Sequence, residues 1–297
     1  MKRTPVELTD RLERALSLLS PCRVCPRACG ADRLRDEQGE CRIGRLARVS
    51  SFDLHFGEEP PISGVRGSGT VFFSGCSLRC AFCQNFPVSQ LAEGRETTPR
   101  ELADMMLRLQ EAGAHNLNLV TPTHVVPQIL EALALAAPAG FRLPIVYNSS
   151  GYDSPEALRI LDGIVDIYMP DAKYGDDASA FRFSGVPHYV ETNQAALLEM
   201  HRQTGAFRTD AEGIARSGVL IRHLVLPGGA AGSRNVLEFI RDRLPGAALA
   251  LMSQYHPSYR AHEFPGMDRR ITREEYEEVL ETALEFGLVL GHVQGME

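Results

Sequence analysis

The stretch TVFFSGCSLRCAFCQN (residues 70–85) places three cysteines within eight residues, directly after a short run of β-branched and aromatic residues. The run at 70–75 predicts a strand that ends where the cysteine loop begins. Cys76, Cys80 and Cys83 offer three thiolates, whereas zinc and the common four-cysteine clusters bind four ligands. Three thiolates can hold three irons of a [4Fe–4S] cube and leave the fourth iron open. We therefore predict an iron–sulfur site with room for a further ligand.

Segments with strand and helix patterns alternate from residue 70 to residue 288. Six strand–helix units in series predict an α/β fold with parallel strands and crossover helices, arranged as a barrel, a partial barrel or an open sheet. No G-x-G-x-x-G follows the first strand and no G-x-x-x-x-G-K-S/T is present, so nucleotide-binding motifs do not separate these arrangements. The predicted strands are 70–75, 116–122, 143–151, 165–173, 218–229 and 247–257, and the predicted helices are 98–113, 124–140, 154–163, 193–205, 233–244 and 271–288.

Polar or reactive residues follow five of the six predicted strands at their carboxyl ends. In parallel α/β barrels the active site lies at that end and is assembled from several strands. The recurrence therefore favours a barrel with its site at this rim. The residues are Cys76 with Cys80 and Cys83, Thr121 to His124, Asn148 to Ser150, Asp171 with Lys173, and His256.

A second group of four cysteines precedes the barrel, with the spacing C-x2-C-x3-C-x11-C. Four thiolates from one short segment satisfy either a structural zinc ion or a second iron–sulfur cluster, and the spacing does not separate the two. We predict that residues 1–57 form an N-terminal extension carrying this metal site and that residues 58–297 form the barrel. The predicted ligands are Cys22, Cys25, Cys29 and Cys41.

Composition bounds the cellular setting and the partners. The chain of 297 residues is 44% hydrophobic and 23% charged, and no apolar run reaches the roughly 18 residues needed to span a membrane. The first twenty residues are too charged for a signal peptide, so we expect a cytoplasmic protein without a membrane partner. In a reducing compartment, clustered cysteines indicate metal binding or catalysis. The net charge of −7 argues against nucleic acid as the main partner.

The cysteine loop resembles the hallmark of the radical S-adenosylmethionine superfamily. That hallmark is C-x3-C-x-φ-C with an aromatic φ, and Cys76, Cys80, Phe82 and Cys83 match it. The resemblance implies a partial (β/α)6 barrel and a [4Fe–4S] cluster. Its open iron would chelate the methionyl amine and carboxylate of S-adenosylmethionine. Reductive cleavage of that cofactor would yield methionine and a 5′-deoxyadenosyl radical that abstracts hydrogen.

Residues 58 to 290 more closely resemble the activating enzymes of pyruvate formate-lyase and other glycyl radical enzymes. In that family an Asp-x-Lys motif lies beside the cofactor carboxylate, and MPDAK supplies Asp171 and Lys173. Lys173 is one of only two lysines in the chain, with Lys2. The resemblance implies that a polar turn lies near the ribose, and that an arginine and a late Tyr-His pair complete the cofactor site. The matching residues are Asn148, Ser149, Ser150, Gly151, Arg222, Tyr255 and His256.

The chain departs from the activating-enzyme pattern at two positions. The family's Gly-Gly-Glu, which contacts the cofactor amine, is replaced by TPTH at residues 121–124. Thr121, Thr123 or nearby backbone carbonyls could accept from that amine, and His124 is a further candidate. The aspartate of the family's cation-binding turn is Asn148 here, which removes a charge and puts a bound monovalent cation in question.

The resulting hypothesis is a radical enzyme that cleaves S-adenosylmethionine. The resemblance implies a glycyl radical protein as the substrate and a flavodoxin- or ferredoxin-type protein as the reductant. A radical enzyme that acts on a small molecule would use the same residues. A third alternative is a non-catalytic iron–sulfur electron carrier or zinc-stabilised binding protein, which would not need Asp171, Lys173 or His256.

Overall fold

The computed structural model describes residues 5–296, with side chains from Leu8 onward, so Lys2 lies outside the described residues. The strands of this part of the chain join in one sheet. In chain order they are β1 (Ala47–His55), β2 (Ser68–Phe73), β3 (Arg95–Thr97), β4 (Leu117–Val120), β5 (Ile145–Ser149), β6 (Ile167–Pro170), β7 (Arg208–Thr209), β8 (Ala215–Leu224), β9 (Ala248–Met252) and β10 (Val289–Val293).

Ten α-helices accompany the sheet in the described part of the chain, and those from residue 99 onward lie in the connections between parallel strands. The ten helices are α1 (Pro5–Ser17), α2 (Pro60–Ser63), α3 (Phe86–Ser89), α4 (Pro99–Glu111), α5 (Val126–Ala136), α6 (Pro155–Ile160), α7 (Asp177–Ser184), α8 (Tyr189–Thr204), α9 (Ser233–Arg243) and α10 (Arg273–Glu285). None of the described helices is long and apolar enough to cross a membrane. Helices α4 and α10 each begin with a capping box, in which a threonine and the glutamate three residues later bond each other's backbone N–H groups.

The sheet confirms the predicted partial barrel. Its strand order is β10-β9-β8-β6-β5-β4-β2-β1-β3, with β7 paired to β8. From β2 to β10 the neighbouring strands on this path are parallel. All six predicted strands are present, and each ends earlier than predicted. Strands β1, β3 and β10 were not predicted: β1 and β3 add an antiparallel edge beside β2, and β10 forms the opposite edge.

Alternation along the strands separates two faces. Side chains of successive strand residues point to opposite faces, so one face packs against the helices and the other lines the barrel. In β5, Val146 and Asn148 share the inner face, and in β8 the same is true of Leu220 and Arg222. The inner face is therefore apolar near the amino ends of the strands and becomes polar towards their carboxyl ends. A ligand site inside the barrel must lie at the carboxyl ends.

Helix α2 closes the amino end of the barrel. Ile62 on this helix is fully buried and packs among the inner residues of the strands, including Ile167 and Ala248. The Asn116 side chain donates to the Ile62 carbonyl at 2.8 Å and accepts from the Ser68 hydroxyl at 2.7 Å. The short segment between β1 and β2 thus forms a plug, and the barrel is open at the opposite end.

The N-terminal extension is packed against the barrel. Helix α1 lies against α5 and α6, and the Arg11 guanidinium donates to the Ile160 carbonyl at 2.7 Å. Strand β1, which precedes the predicted boundary at residue 57, pairs along its length with β2 of the barrel. The division into 1–57 and 58–297 stays a prediction, and the two segments share one sheet.

Truncation of the plug is expected to destabilise the fold. Ile62→Ala removes a side chain that is 0% exposed among closely packed strands, so it should lower the free energy of unfolding by about 2–5 kcal/mol. Val65→Ala changes a side chain that is 90% exposed and serves as the control. Urea unfolding of the metal-free proteins measures both. Equal midpoints for I62A and wild type would contradict the placement of α2 inside the barrel.

Candidate active site

A cavity of about 500 Å³ opens at the carboxyl ends of the parallel strands. It extends from the cysteine loop after β2, across the ends of β4, β5, β6 and β8, to β9 and β10. We call this cavity the cleft. Most of the predicted barrel-site residues line it, whereas Thr123, His124, Gly151, Tyr255 and His256 do not. These lining residues are Cys76, Cys80, Phe82, Cys83, Thr121, Asn148, Ser149, Ser150, Asp171, Lys173 and Arg222.

The three cysteines of the loop present their thiols to one wall of the cleft. Cys80 Sγ accepts a hydrogen bond from the Ser184 hydroxyl at 3.1 Å, and Cys83 Sγ lies 3.1 Å from the Ser89 hydroxyl. Burial raises the pKa of the Cys76 thiol to about 12. Burial also raises the pKa of Cys80, against an opposing effect from Lys173. These thiols therefore hold their protons until a metal replaces them.

An aromatic cluster and a glycine shape the cysteine loop. Phe82 packs edge-on against the rings of Tyr174, Phe183 and Tyr255, with centroids 5.8 to 6.4 Å apart. Gly75, just before the first cysteine, has a φ of +80°, and a Cβ there would collide with the Cys41 carbonyl. The chain turns from β2 into the loop only because this position has no side chain.

A charged network joins the ends of β5, β6 and β8. Arg222 Nε donates to Asp171 Oδ1 at 2.9 Å, and Arg222 Nη2 donates to Asn148 Oδ1 at 2.8 Å. Lys173 Nζ donates to the other Asp171 oxygen at 2.5 Å. Burial alone would raise the pKa of Asp171, but attraction to Arg222 and Lys173 holds it below its usual value. The network therefore contains a buried carboxylate held between two cations.

The turn after β5 packs tightly beside this network. A Cβ on Gly151 would collide with the Asp171 carbonyl, and the φ of Gly151 is +72°. Asn193 on α8 donates to the carbonyls of Gly151 and Asp171 at 2.9 and 3.0 Å. The Ser150 hydroxyl is buried without a hydrogen-bond partner, although it lines the cleft. This hydroxyl is therefore available to bond a ligand in the cleft.

The TPTH segment divides between the cleft and the core. Thr121 lines the cleft with a φ of +58°, a left-handed conformation that is uncommon for threonine. The Thr123 hydroxyl instead donates to Asp153 at 2.7 Å. His124 is fully buried, with Nε2 2.8 Å from the Ser74 carbonyl, and burial lowers its pKa to about 4. Thr123 and His124 thus lie outside the cleft and pack beneath the site.

His256 lies at the rim. Its ring is exposed, and Nδ1 is 3.1 Å from the Gln84 amide nitrogen, which lines the cleft. The neighbouring Tyr255 is buried, and its hydroxyl donates to the Met267 carbonyl at 2.6 Å. The roles predicted for these two residues toward an adenine ring stay predictions.

The cleft also contains residues that the sequence analysis missed. Glu58 and Glu59 reach into it from the segment between β1 and α2, with His55 before them and His292 on β10. The available signal was GEEPP at residues 57–61, which places two adjacent carboxylates directly before two prolines. Their position under the site could not be inferred, since it depends on α2 entering the barrel.

The four N-terminal cysteines lie together at the side of the barrel. Cys22, Cys25 and Cys41 are buried and Cys29 is exposed. Burial, together with the other three thiols, raises the pKa of Cys25 to about 12. Among the described residues, no three His, Cys, Asp or Glu side chains are grouped so as to hold a single metal ion. In an iron–sulfur cube each cysteine binds a different iron, so its ligands stand farther apart than those around one ion.

One arginine connects the two cysteine segments. Arg27, between Cys25 and Cys29, donates to the Ser77 carbonyl at 2.8 Å and to the Leu78 carbonyl at 3.2 Å. The same guanidinium donates to two carbonyls at the end of α7, which follows the Lys173 turn. The N-terminal segment therefore holds the backbone of the cysteine loop in the barrel.

The donor set fits a [4Fe–4S] cluster and a bound small molecule. Three thiols share one wall, a lysine lies near Cys80, and the fourth ligand position has no cysteine. The Ser150 hydroxyl and the Gln90 amide nitrogen, both in the cleft, lack partners. Cationic, acidic and neutral polar groups converge beside the thiols, as recognition of a zwitterionic ligand requires.

Comparisons with known proteins agree with this arrangement. Residues 70–205 match the sequence model of the Radical SAM superfamily. The chain is 31% identical over 296 residues to the uncharacterized protein MJ0674 of Methanocaldococcus jannaschii, covering 96% of this chain and 81% of that protein. It is also 31% identical over 140 residues to a pyruvate formate-lyase-activating enzyme of Clostridium pasteurianum, covering 46% of this chain and 55% of the enzyme.

Among solved structures, the chain resembles the crystal structure of HydG, a maturase of the [FeFe]-hydrogenase. The TM-score is 0.46 and the sequence identity is 12%, over 95% of this chain and 61% of that chain. This chain thus spans about three fifths of HydG and about half of the Clostridium enzyme.

Neutralising Asp171 is expected to destabilise the protein strongly. Asp171→Asn leaves Lys173 and Arg222 buried without their shared carboxylate, which should lower the free energy of unfolding by about 3–5 kcal/mol at neutral pH. Urea unfolding of the metal-free proteins gives the difference. Asp242→Asn, in an exposed pair with Arg241, is the control and should leave the midpoint unchanged.

The Asp171 effect should also depend on pH. Because its folded pKa is below the unfolded value, the stabilisation is present above the unfolded pKa and is lost as pH falls through the folded pKa. The difference between wild type and D171N should therefore shrink in acid. A difference that is independent of pH would show that Asp171 does not act as a carboxylate.

Proposed function

Because this chain belongs to the radical S-adenosylmethionine superfamily, we propose that it cleaves S-adenosylmethionine reductively and directs the resulting radical at a substrate in the cleft. The observation that carries the proposal is the convergence of three loop thiols with Asp171, Lys173 and Arg222 in one cleft. An electron carrier would need the thiols alone. The buried charged network beside them is the arrangement of a binding site for an organic cofactor.

Cys76, Cys80 and Cys83 would hold a [4Fe–4S] cluster. When bound, the cluster supplies the electron that breaks the sulfonium S–C5′ bond and leaves methionine and a 5′-deoxyadenosyl radical. The chain's own contribution is positional. Ser184 and Ser89 orient two of the thiols, Arg27 fixes the loop backbone, and the surrounding rings exclude water from the wall of the cleft.

Lys173, Asp171, Asn148 and Ser150 would bind the cofactor. The Lys173 ammonium has two unused donors after its bond to Asp171, and a carboxylate ligand could accept from them. Asn148 Nδ2 and the unpartnered Ser150 hydroxyl face the same space. Thr121 reaches the cleft from the segment that replaces Gly-Gly-Glu, so its hydroxyl or carbonyl would accept from the cofactor amine.

Two candidate substrates, from which the radical would abstract a hydrogen atom, have specific support. Similarity to a pyruvate formate-lyase-activating enzyme over 140 residues supports a glycine of a partner glycyl radical protein. A small molecule is supported by the cleft itself, which continues below the Asp171 network to a closed floor of acidic residues. A flavodoxin- or ferredoxin-type protein would serve as the reductant in either case.

The N-terminal cysteines would hold a second metal centre, an iron–sulfur cluster or zinc. Arg33 supports this proposal. Its side chain is fully buried beside Cys22 and Cys41, no carboxylate of the described residues pairs with it, and Nη2 has no partner. A buried cation without a counter-ion is costly. Four thiolates on zinc or on a [4Fe–4S] cluster carry net negative charge and would provide that counter-ion.

The cluster assignment has a direct test. After anaerobic reconstitution with iron and sulfide, dithionite and S-adenosylmethionine should yield 5′-deoxyadenosine, measured by liquid chromatography. The C76A/C80A/C83A variant should contain about four fewer irons per chain. It should form no 5′-deoxyadenosine. A reduced cluster of unchanged iron content in the variant would contradict the assignment of these cysteines. A non-catalytic electron carrier would be reduced without forming 5′-deoxyadenosine.

The second metal centre calls for a separate measurement. Cys22→Ser with Cys41→Ser should remove iron or zinc, by elemental analysis, beyond that bound by the loop cysteines, and the element lost identifies the metal. The loop cluster should remain, detected by electron paramagnetic resonance after reduction. The exposed Arg23→Ala in the same segment is the control and should keep both centres. Unchanged metal content in the double variant would refute the N-terminal site.

A further inference from the structure

The closed end of the cleft carries two adjacent glutamates. Glu58 and Glu59 lead into α2, whose Ile62 fills the amino end of the barrel. Both side chains line the cleft from below, opposite its open mouth. We call Glu58 and Glu59 the floor carboxylates. The guanidinium of Arg222 lies between Asp171 and the floor carboxylates.

The two floor carboxylates differ in their partners. Glu58 Oε1 accepts from the Asn118 amide at 3.0 Å, and its other oxygen is 3.7 Å from Arg222 Nη1. Glu59 is only 8% exposed, and its Oε2 is buried without a hydrogen-bond partner. A buried carboxylate oxygen without a donor is costly, because it has lost water and gained nothing in return. The Oε2 atom of Glu59 therefore lacks an N–H donor, and Arg222, which attracts Glu59, gives its hydrogen bonds to Asp171 and Asn148.

The charges of the cleft lead to the same conclusion. Three carboxylates, Asp171, Glu58 and Glu59, face two permanent cations, Arg222 and Lys173. Lys173 is bonded to Asp171, and the single charge of Arg222 is shared among Asp171, Glu58 and Glu59. One negative charge is left over at the floor. Because the Oε2 atom of Glu59 lacks an N–H donor, an organic cation that donates hydrogen bonds fits this charge.

We propose that Glu59, with Glu58 beside it, binds the ammonium or amidinium group of a small cationic substrate at the floor of the cleft. The proposal rests on the function proposed above, which places the cofactor's own amine at the cysteine end. The floor lies on the other side of the Arg222 guanidinium from Lys173. A substrate held by its cation at the floor would present its carbon atoms upward, toward the cofactor.

The test uses n-butylammonium as the probe, with n-butanol and butyrate as its neutral and anionic counterparts. Ligand-observed saturation-transfer NMR on the metal-free protein measures weak binding without any cofactor. Glu59→Gln keeps the shape and removes the charge, so n-butylammonium affinity should fall at least about tenfold. Glu111→Gln, an exposed glutamate at the end of α4, is the matched control and should bind as wild type does. Glu59→Asp, which keeps the charge, should retain the preference for the cation.

Three results would overturn the proposal. The first is an n-butylammonium affinity that is equal in E59Q and wild type. The second is binding of n-butanol or butyrate that is as tight as binding of n-butylammonium. The third is a loss of S-adenosylmethionine affinity in E59Q. Equilibrium dialysis of the reconstituted protein measures the last, which would assign Glu59 to the cofactor's amine. A protein that forms no 5′-deoxyadenosine but binds n-butylammonium through Glu59 would refute the proposed chemistry and uphold the floor site.

Discussion

The guanidinium of Arg222 connects the ends of the strands around the site to the floor of the cleft. It bonds Asp171 at the end of β6 and Asn148 at the end of β5, and its remaining nitrogen lies near Glu58 at the floor. Only a planar group with several fixed donors can satisfy three acceptors on different elements at once. Because the pairs are buried, removal of one member leaves uncompensated charge, so these elements must keep their relative positions.

The N-terminal segment also helps to hold the site in place. Arg27 bonds the backbone of the cysteine loop and the end of α7, while Arg33 donates to the His124 carbonyl at 2.7 Å beneath the site. Both arginines lie among the four N-terminal cysteines. A metal centre bound by these cysteines would fix the backbone of Arg27. The Arg27 guanidinium could then hold the cysteine loop through its hydrogen bonds. The two cysteine groups are distant in sequence and coupled through these hydrogen bonds.

The local sequence pattern was sufficient to predict the six strand–helix units. Their periodicity and capping residues lie within each segment, as in Thr98 and Glu101 of α4, and parallel strands follow from the alternation. Strands β1 and β10 were not predicted because their residues are partly exposed and do not alternate clearly along the strand. Strand β10 forms one edge of the sheet, and β1 lies between β2 and the other edge strand, β3. Their pairing depends on the exposed edges that the other strands create. The predicted strands also ran too long, since the polar residues after each strand bond into turns and cease to pair.

The sequence by itself determined the chemistry of the cysteine loop, because three thiols, an aromatic residue and a preceding strand are all local features. It also placed Asp171 and Lys173 at a strand end, where a parallel barrel gathers its site residues, and the resemblance to the activating enzymes added Arg222. Only the tertiary structure decided which polar side chains of a segment face the cleft: Thr121 faces it, whereas Thr123 turns to Asp153. Only the tertiary structure placed Glu59 under the site, because its position depends on the plug formed by α2 and on the packing of strands distant in sequence.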